Sequence, residues 1–228
     1  MRIALSSSSF RGPLATGDLT QLEWIERCAS ELGADGVVAA VAHFPRTDPE
    51  YVAQLRKVAV DLGVVPFGLD APALLAPTAA PGTYEDTFAL AAGFGALVVR
   101  TVLPPPGEIP PASFVEAVAA AKSAAKAAKA ANITVLIAEA PGTLGPDAVS
   151  VKHLLKDVDS AWLRGAPTAA GDGAAWTAKD RFPARVATTG DDPAAVRAAG
   201  ARSWTIVDAR EGTEPWEELG AYLNALRA

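Results

Sequence analysis

The chain has 228 residues, a formal net charge of −6 and a single cysteine, Cys28. Half of the residues are hydrophobic, but 50 of them are alanines, so much of the apolar content consists of small side chains. No apolar run is long enough to span a membrane, and an acidic chain without blocks of Lys and Arg argues against a nucleic-acid partner. One cysteine excludes a disulfide framework and indicates a reducing, cytoplasmic location.

Amphipathic stretches alternate with short β-rich runs along the whole chain. Most amphipathic stretches end at glycine or asparagine, which accept the left-handed conformation found at helix ends, and an apolar run follows, as in a parallel strand covered on both faces. This pattern predicts strands near 2–5, 35–41, 64–69, 96–102, 133–139, 161–166, 184–189 and 203–208. It predicts helices near 19–32, 49–62, 84–94, 112–131, 147–158, 173–179, 193–199 and 214–227.

Eight successive strand–helix units predict an α/β protein, a (β/α)8 TIM barrel that forms a single domain over residues 1–228. An open, doubly wound sheet is the alternative. The spacing between strands shortens toward the end of the chain, so the late units are trimmed. The segment 164–183 has the composition of a loop, which leaves strand 6 and the short helix near 173–179 poorly defined.

Polar side chains follow the predicted strands at the end where a barrel carries its function. In this fold the loops after the strands converge on one mouth. The candidates at that mouth are Ser6–Ser9, His43 with Arg46, Asp70, Arg100 with Thr101, Glu139, Thr168, Thr188 with Thr189, and Asp208. The run of serines is readily explained as a polar turn, although it could also donate hydrogen bonds to a phosphate.

Glu139 has the most demanding position, because it ends the apolar run ITVLIA without a cation nearby in sequence. A carboxylate there must be paired, bind a metal, or have a raised pKa that suits proton transfer. Arg100, which closes the neighbouring strand, is the natural ion-pair partner. The same arginine could instead bind a substrate oxyanion.

Three further residues have both a functional and a structural interpretation. His43 could act as an acid–base group or simply form a backbone hydrogen bond in its loop. Asp208 follows the strand WTIV and could be catalytic or pair with Arg210. Asp70 could bind a ligand or serve as a turn residue before Ala71 and Pro72. Trp176 could line the mouth.

Five segments in their order along the chain carry a resemblance to a known family. They are MRIALSSSSF, ELGADGVVAAVAHFP, AAGFGALVVR, ITVLIAEAPG and SWTIVDAREGTEPWEELGAYLNALRA. With them the chain resembles the xylose isomerase-like TIM barrels, the sugar phosphate isomerase/epimerase superfamily, as a short and divergent member. The resemblance covers the chain in outline and is poorest between residues 164 and 200.

The resemblance implies a divalent metal, Mn²⁺ or Mg²⁺, at the barrel mouth. The family holds it with a glutamate on strand 5, an aspartate after strand 6, a histidine nearby and a glutamate on strand 8. Glu139 matches the first position and the shorter Asp208 the last, whereas the strand 6 aspartate and the histidine have no counterpart. Asp172 is the alternative third ligand. A metal held by two carboxylates would be bound weakly unless substrate oxygens complete its coordination.

The resemblance also implies an isomerase or epimerase that transfers a proton next to the carbonyl of a sugar or sugar phosphate. Glu139 would remove the proton and Asp208 would return it or help to hold the metal, with His43 as the third catalytic residue. Arg100, Asp70 and Arg46 would bind the substrate. The alternative is a member that has lost its metal centre and binds a small ligand or a partner protein without catalysis. The expected partner is a small, sugar-like molecule; no membrane is expected, and a homodimer is left open.

Overall fold

The computed structural model describes residues 1–76, 82–106, 113–168, 176, 183–200, 204–210 and 215–228. The strands are β1 Arg2–Ser6, β2 Gly36–Ala40, β3 Val65–Asp70, β4 Val98–Thr101, β5 Thr134–Ala138, β6 Leu163–Ala166, β7 Ala184–Thr188 and β8 Trp204–Asp208. The described α-helices are α1 Arg11–Thr16, α2 Gln21–Ser30, α3 Pro49–Asp61, α4 Thr83–Phe94, α5 Phe114–Ala131, α6 Ala148–Val158, α7 Pro193–Gly200 and α8 Pro215–Arg227. Two short 3-10 turns, Ser7–Phe10 and Val41–His43, follow β1 and β2.

The eight strands are parallel and form a nearly closed barrel. Their hydrogen-bonded order is β6-β5-β4-β3-β2-β1-β8-β7. Between β6 and β7 the described contact is a single bridge from Thr168 to Val186, where the Val186 amide donates to the Pro167 carbonyl at 2.9 Å. The predicted (β/α)8 TIM barrel is therefore confirmed, and the open doubly wound sheet is not the fold.

Helix starts follow the capping residues in the sequence. Thr20 and Glu23 form a reciprocal capping box at the start of α2, and Asp48 accepts a hydrogen bond from the Tyr51 amide before Pro49 opens α3. At its far end α5 stops at Asn132, which adopts φ 57°. Local side chains thus decide where these helices begin and end. Packing against the rest of the protein decides which face of each helix is buried.

Two apolar layers hold the barrel together. The outer layer lies between strands and helices, and buried alanines along α5, such as Ala121 and Ala128, let the backbone of that helix pack closely. The inner layer fills the barrel with side chains such as Val38, Val98, Leu136 and Ile206. The ring of Phe67 stacks on that of Trp204 inside this layer at 4.5 Å between centroids. The alanine-rich composition therefore corresponds to close helix–sheet packing.

The strand predictions agree with the structure to within about two residues, whereas several local features differ. The short helix α1 and the two 3-10 turns were not predicted. The predicted helix near 173–179 lies outside the described residues, except for Trp176. Among the helices that the structure describes, none combines the length and apolar character needed to cross a bilayer.

Candidate functional site

The side chain of Arg100 crosses the mouth of the barrel. On one side its Nε and Nη2 donate to the carboxylate of Asp70 on β3, at 3.1 and 2.7 Å. On the other side Nη1 and Nη2 donate to the carboxylate of Asp208 on β8, at 2.7 and 3.3 Å. Because three strands separate β4 from β8 in the sheet order, one guanidinium joins carboxylates from distant parts of the barrel.

Strand register explains why these three side chains meet. Arg100 and Asp208 each come two residues after an inward-facing residue, Val98 and Ile206, so they face the interior as well. Asp70 reaches the same face because β3 contains a bulge: Val37 pairs with Pro66 but Val38 pairs with Gly68, so Phe67 is an extra residue. After the bulge, Asp70 is in register with Arg100.

Small side chains at the ends of four other strands leave room for the guanidinium. Ser6 ends β1 and accepts a hydrogen bond from Arg100 Nη2 at 3.3 Å, and Ala40 is the register partner of Asp70. Ala138 and Ala166, which pair with each other, belong to the inner apolar layer. Larger residues at these positions would compete with the arginine for the space.

Burial and charge make this cluster strongly coupled. Arg100 is 7% and Asp70 8% exposed. Burial alone would lower the pKa of Arg100, but the carboxylates of Asp208 and Asp70 raise that pKa well above its ordinary value. Burial raises the pKa of Asp70, yet the charge of Arg100 and hydrogen bonds from Arg100 and Ser8 lower it more, so the net pKa is below the usual range. Arg100 and Asp70 are therefore held in their charged forms.

Glu139 does not pair with Arg100, which corrects the expected ion pair between strands 4 and 5. Its Oε1 accepts a hydrogen bond from Trp176 Nε1 at 2.7 Å, and its Oε2 accepts one from the Thr168 hydroxyl at 2.9 Å. The physical reason is that Asp70 and Asp208 already occupy the guanidinium, whereas the residues after β6 supply neutral donors to the half-buried glutamate. Trp176 reaches this position because Gly165 has no side chain where the indole packs.

His43 is held on the other side of the mouth by a serine of the first loop. The Ser7 hydroxyl lies 2.9 Å from His43 Nδ1, and the Ala40 amide donates to the same hydroxyl oxygen at 2.8 Å. Partial burial lowers the pKa of His43, the charge of Arg11 lowers it further, and Asp70 raises it only in part. The imidazole is therefore predominantly neutral at neutral pH, in either tautomer that the Ser7 hydroxyl can accommodate.

A cavity of about 330 Å³ lies beside His43 and Asp70. Ser8 of the first 3-10 turn and Arg11 at the start of α1 line it, and the residues after β2 and β3 form much of its wall. This volume falls within the range of small-molecule sites in proteins, roughly 300–1,000 Å³. Of the predicted site residues, the structure thus brings His43 and Asp70 to one cavity, and Arg100 links Asp70 to Asp208.

Two predicted contacts have a different arrangement in the structure. Arg46, predicted to bind substrate, pairs with Asp48 at 3.3 Å, lies over the ring of Tyr51 and is largely exposed. It is not among the residues described as lining the cavity. Asp208 does not pair with Arg210, because Arg210 donates to Glu218 at 2.9 Å while Arg100 occupies Asp208.

The four consecutive serines after β1 are the main feature that sequence reasoning undervalued. Ser6 accepts from Arg100, Ser7 binds His43, and Ser8 donates to Asp70 at 2.9 Å. Ser9 accepts a hydrogen bond from the Ala209 amide at 2.8 Å, directly after β8. Each hydroxyl therefore joins the first loop to a different strand end, and the only signal in the sequence was the run itself.

The described residues do not form a divalent-metal site. Both oxygens of Asp208 accept hydrogen bonds from a guanidinium, whose positive charge opposes a dication at the same place. Both oxygens of Glu139 accept bonds from Trp176 and Thr168. Within the described part of the chain, no group of three or more His, Cys, Asp or Glu side chains is arranged to hold a metal ion. Asp172, the alternative third ligand, lies outside the described residues.

Comparison with known proteins gives similarity at the level of structure. No family profile and no curated protein sequence matches the chain. A probable 3-DHS dehydratase from Bacillus anthracis superposes with a TM-score of 0.74 at 15% identity, covering 100% of this chain and 99% of that one. A D-allulose 3-epimerase from Methylomonas sp. gives 0.74 at 14% identity over 100% and 96% of the two chains.

A third structure carries the family name itself. A xylose isomerase domain-containing protein from Salmonella typhimurium superposes with a TM-score of 0.72 at 11% identity, covering 100% of this chain and 97% of that one. Identities this low establish a shared fold, and chemistry has to be argued from the site. The predicted resemblance is confirmed at that level: the chain has the fold of the xylose isomerase-like TIM barrels.

Proposed function

We propose that the chain is an enzyme of the isomerase or epimerase type, which moves a proton next to the carbonyl of a small hydroxycarbonyl compound without a divalent metal. The observation that carries this proposal is the His43 imidazole beside the cavity, held by Ser7 and kept neutral by its lowered pKa. A positioned neutral imidazole can accept a proton from a bound compound, so it is well suited to proton transfer. The dehydratase and epimerase among the similar structures support this reaction class.

In the proposed mechanism His43 exchanges the proton through Nε2, the ring nitrogen that is not bonded to Ser7. Ser8 and Asp70 form the fixed polar wall next to it, and Arg100 keeps that wall in place. Glu139 remains the candidate for a second proton-transfer group, because its two hydrogen bonds come from neutral donors. Asp208 is a weaker candidate, since the guanidinium of Arg100 neutralises it.

The metal-independent part of the proposal rests on Arg100. A buried guanidinium already provides a positive charge at the mouth and compensates the carboxylates there. We expect purified protein to contain no stoichiometric divalent metal, and we expect Mn²⁺ titration to give the same weak response in the wild type and in Glu139→Gln. A stoichiometric metal that is lost in Glu139→Gln would contradict this part of the proposal.

Solvent deuterium exchange tests the reaction directly. EDTA-treated protein is incubated in D₂O with a panel of ketoses, aldoses and hydroxycarbonyl carboxylates, and ¹H NMR follows loss of the proton next to each carbonyl. We expect exchange with one class of compound, reduced by about 100-fold or more in His43→Gln, in line with typical contributions of general acid–base catalysis. The control is His153→Gln, which removes the exposed histidine of α6 that pairs with Asp157.

A second candidate function is ligand binding without catalysis. The observation in its favour is that Arg100 pairs with both Asp70 and Asp208, which leaves these carboxylates in a structural role. Binding of a panel compound with no deuterium exchange, in the presence or absence of Mn²⁺, would support it against the enzyme. Exchange that is unchanged in His43→Gln would contradict the role given to that histidine.

A further inference from the structure

The cavity beside His43 has a polar end and a largely apolar wall. Ser8, Arg11, His43 and Asp70 reach it from the mouth of the barrel. Much of the remaining described lining consists of Ala40, Val41, Ala42, Ala71, Pro72 and Leu74. The two threonines at the start and middle of α4 also reach its edge. Its chemistry is therefore asymmetric.

The polar end presents one cation, Arg11, and one carboxylate, Asp70. Asp70 is bonded to Arg100, which it shares with Asp208, and the hydroxyl of Ser8 donates to the same carboxylate. Arg11 forms no ion pair with any residue that the structure describes, and its charge adds to the effect of burial in lowering the pKa of the His43 imidazole. A guanidinium without a carboxylate partner, next to a neutral imidazole, is a recognition element for an anion.

The apolar wall disfavours a polyhydroxylated ligand. Each hydroxyl that is moved from water to a wall of alanine, proline and leucine loses its hydrogen bonds to water, which is unfavourable because the wall offers no replacement. A sugar carries hydroxyls around its whole ring or chain, whereas the described lining of this cavity is mostly apolar. A ligand with a single polar end buries its apolar body here without that cost.

We propose that the natural ligand is a small carboxylate with a compact, largely apolar body, bound with its carboxylate between Arg11 and His43. A carboxylate fits better than a phosphate because Arg11 is the one unpaired cation of the described lining, and a single positive charge balances a monoanion but not a dianion. This inference deepens the proposed function by naming its substrate class, and it rests on that function for turnover. Binding itself can be measured independently.

A pair of probes that differ in charge alone tests the inference. Benzoate and benzamide have nearly the same shape, and calorimetry measures the affinity of each. We expect the dissociation constant of benzoate to be about tenfold lower than that of benzamide, which equals ~1.4 kcal/mol. Phenyl phosphate should bind less tightly than benzoate, and D-fructose should give no measurable binding. The benzoate preference should weaken with added salt, because Arg11 is exposed.

Arg11→Gln should abolish the tenfold preference for benzoate while affinity for benzamide stays unchanged. The matched control is Arg56→Gln, which removes an exposed arginine of α3 that does not line the cavity. Equal affinities for benzoate and benzamide in the wild type would overturn the inference, as would a preference that survives in Arg11→Gln. Tighter binding of phenyl phosphate or D-fructose than of benzoate would assign the cavity to a different ligand class.

Failure of this inference can be told apart from failure of the proposed function. Selective benzoate binding without deuterium exchange of any hydroxycarbonyl carboxylate would support the ligand class and contradict the enzyme. Exchange of neutral ketoses alone, with no binding of benzoate, would support the enzyme and overturn the ligand class.

Discussion

The guanidinium of Arg100 on β4 is bonded to the carboxylate of Asp208 on β8, with Nη1 and Oδ2 2.7 Å apart. These strands lie on opposite sides of the barrel, so the ion pair spans its mouth. Asp70 occupies the rest of the same guanidinium. One positive charge thus compensates two carboxylates, and the stability of the mouth depends on that arginine.

Replacement of Arg100 by methionine should lower the free energy of unfolding by roughly 3–5 kcal/mol, the usual cost of removing one partner from a buried ion pair. The variant leaves two carboxylates close together without a cation. Urea denaturation at pH 7 measures the change. Lys57→Met is the control, because it removes a lysine from the exposed pair with Asp61, and such pairs contribute at most about 1 kcal/mol.

The triple variant Arg100→Met, Asp70→Asn, Asp208→Asn should recover a large part of that loss. It removes the uncompensated charges and keeps side chains of similar size. If Arg100→Met alone destabilises the protein no more than Lys57→Met does, the ion pairs of Arg100 with Asp70 and Asp208 do not stabilise the fold as their geometry indicates.

The sequence was sufficient to predict the barrel. It was insufficient to predict which side chains pair with each other at the mouth of the barrel. Period and helix caps predict strands and helices because they are local properties, as the capping box of Thr20 and Glu23 illustrates. The partner of Arg100 is decided by strands far apart in sequence and by a bulge at Phe67 that turns Asp70 inward. No periodicity of the chain encodes either.

Glu139 is a second residue whose partners could not be predicted from the sequence. Its position after an apolar strand correctly indicated that it needs partners. The partners are Thr168 and Trp176, from the segment whose composition resembles a loop. Trp176 can bond to Glu139 only because Gly165 leaves space for its ring. The sequence shows the glycine within a short strand, but it does not show which side chain packs against that glycine.

Acid should destabilise the protein partly through Asp70. Its pKa in the folded state is lowered, by Arg100 and Ser8 against the effect of burial, while the unfolded value is about 3.9. A group with a depressed folded pKa stabilises the fold fully above its unfolded pKa, and this contribution is lost as the pH falls through the folded pKa. The free energy of unfolding should therefore drop below about pH 4.

The comparison variant for this prediction is Asp70→Asn. It should be less stable than the wild type at pH 6, and the difference should shrink at acid pH, where the wild-type carboxyl is protonated too. Urea midpoints between pH 2 and 7 measure both curves. Parallel curves over the whole range would show that Asp70 titrates alike in the folded and unfolded states.

His43 should titrate below the ordinary histidine value of about 6.5. Burial is the main cause and the charge of Arg11 adds to it, while Asp70 acts in the opposite sense. Arg11→Gln should therefore raise the pKa of His43, and Asp70→Asn should lower it further. The chain has two histidines, so imidazole ¹H–¹⁵N spectra followed with pH resolve the change, and His153→Gln assigns the signals.

The sign of the His43 contribution to stability follows from the same shift. Because its folded pKa is lowered, its neutral form is favoured in the folded state, and this contribution is present above about pH 6.5 and is lost as the pH falls through the folded pKa. A pKa of His43 at or above that of an unstructured peptide would contradict the environment described for it.

Gly165→Ala should displace the indole of Trp176 and break its hydrogen bond to Glu139. A Cβ at position 165 would overlap that ring, so the ring has to move. We expect a loss of roughly 1–3 kcal/mol in the free energy of unfolding, as for other overpacked sites. In ¹H–¹⁵N spectra the indole N–H signal of Trp176 should shift upfield as its bond to the carboxylate is lost, and Trp176→Phe identifies the signal.

The control for this substitution is Gly12→Ala in α1. A Cβ there meets no atom within 4 Å, and alanine in a helix is favoured over glycine by about 0.5–1 kcal/mol, so stability should be unchanged or slightly higher. If Gly165→Ala behaves like Gly12→Ala, Trp176 has room to move without releasing Glu139. If instead the indole signal shifts and deuterium exchange falls while His43 keeps its pKa, Glu139 acts in the reaction through the position that Trp176 gives it.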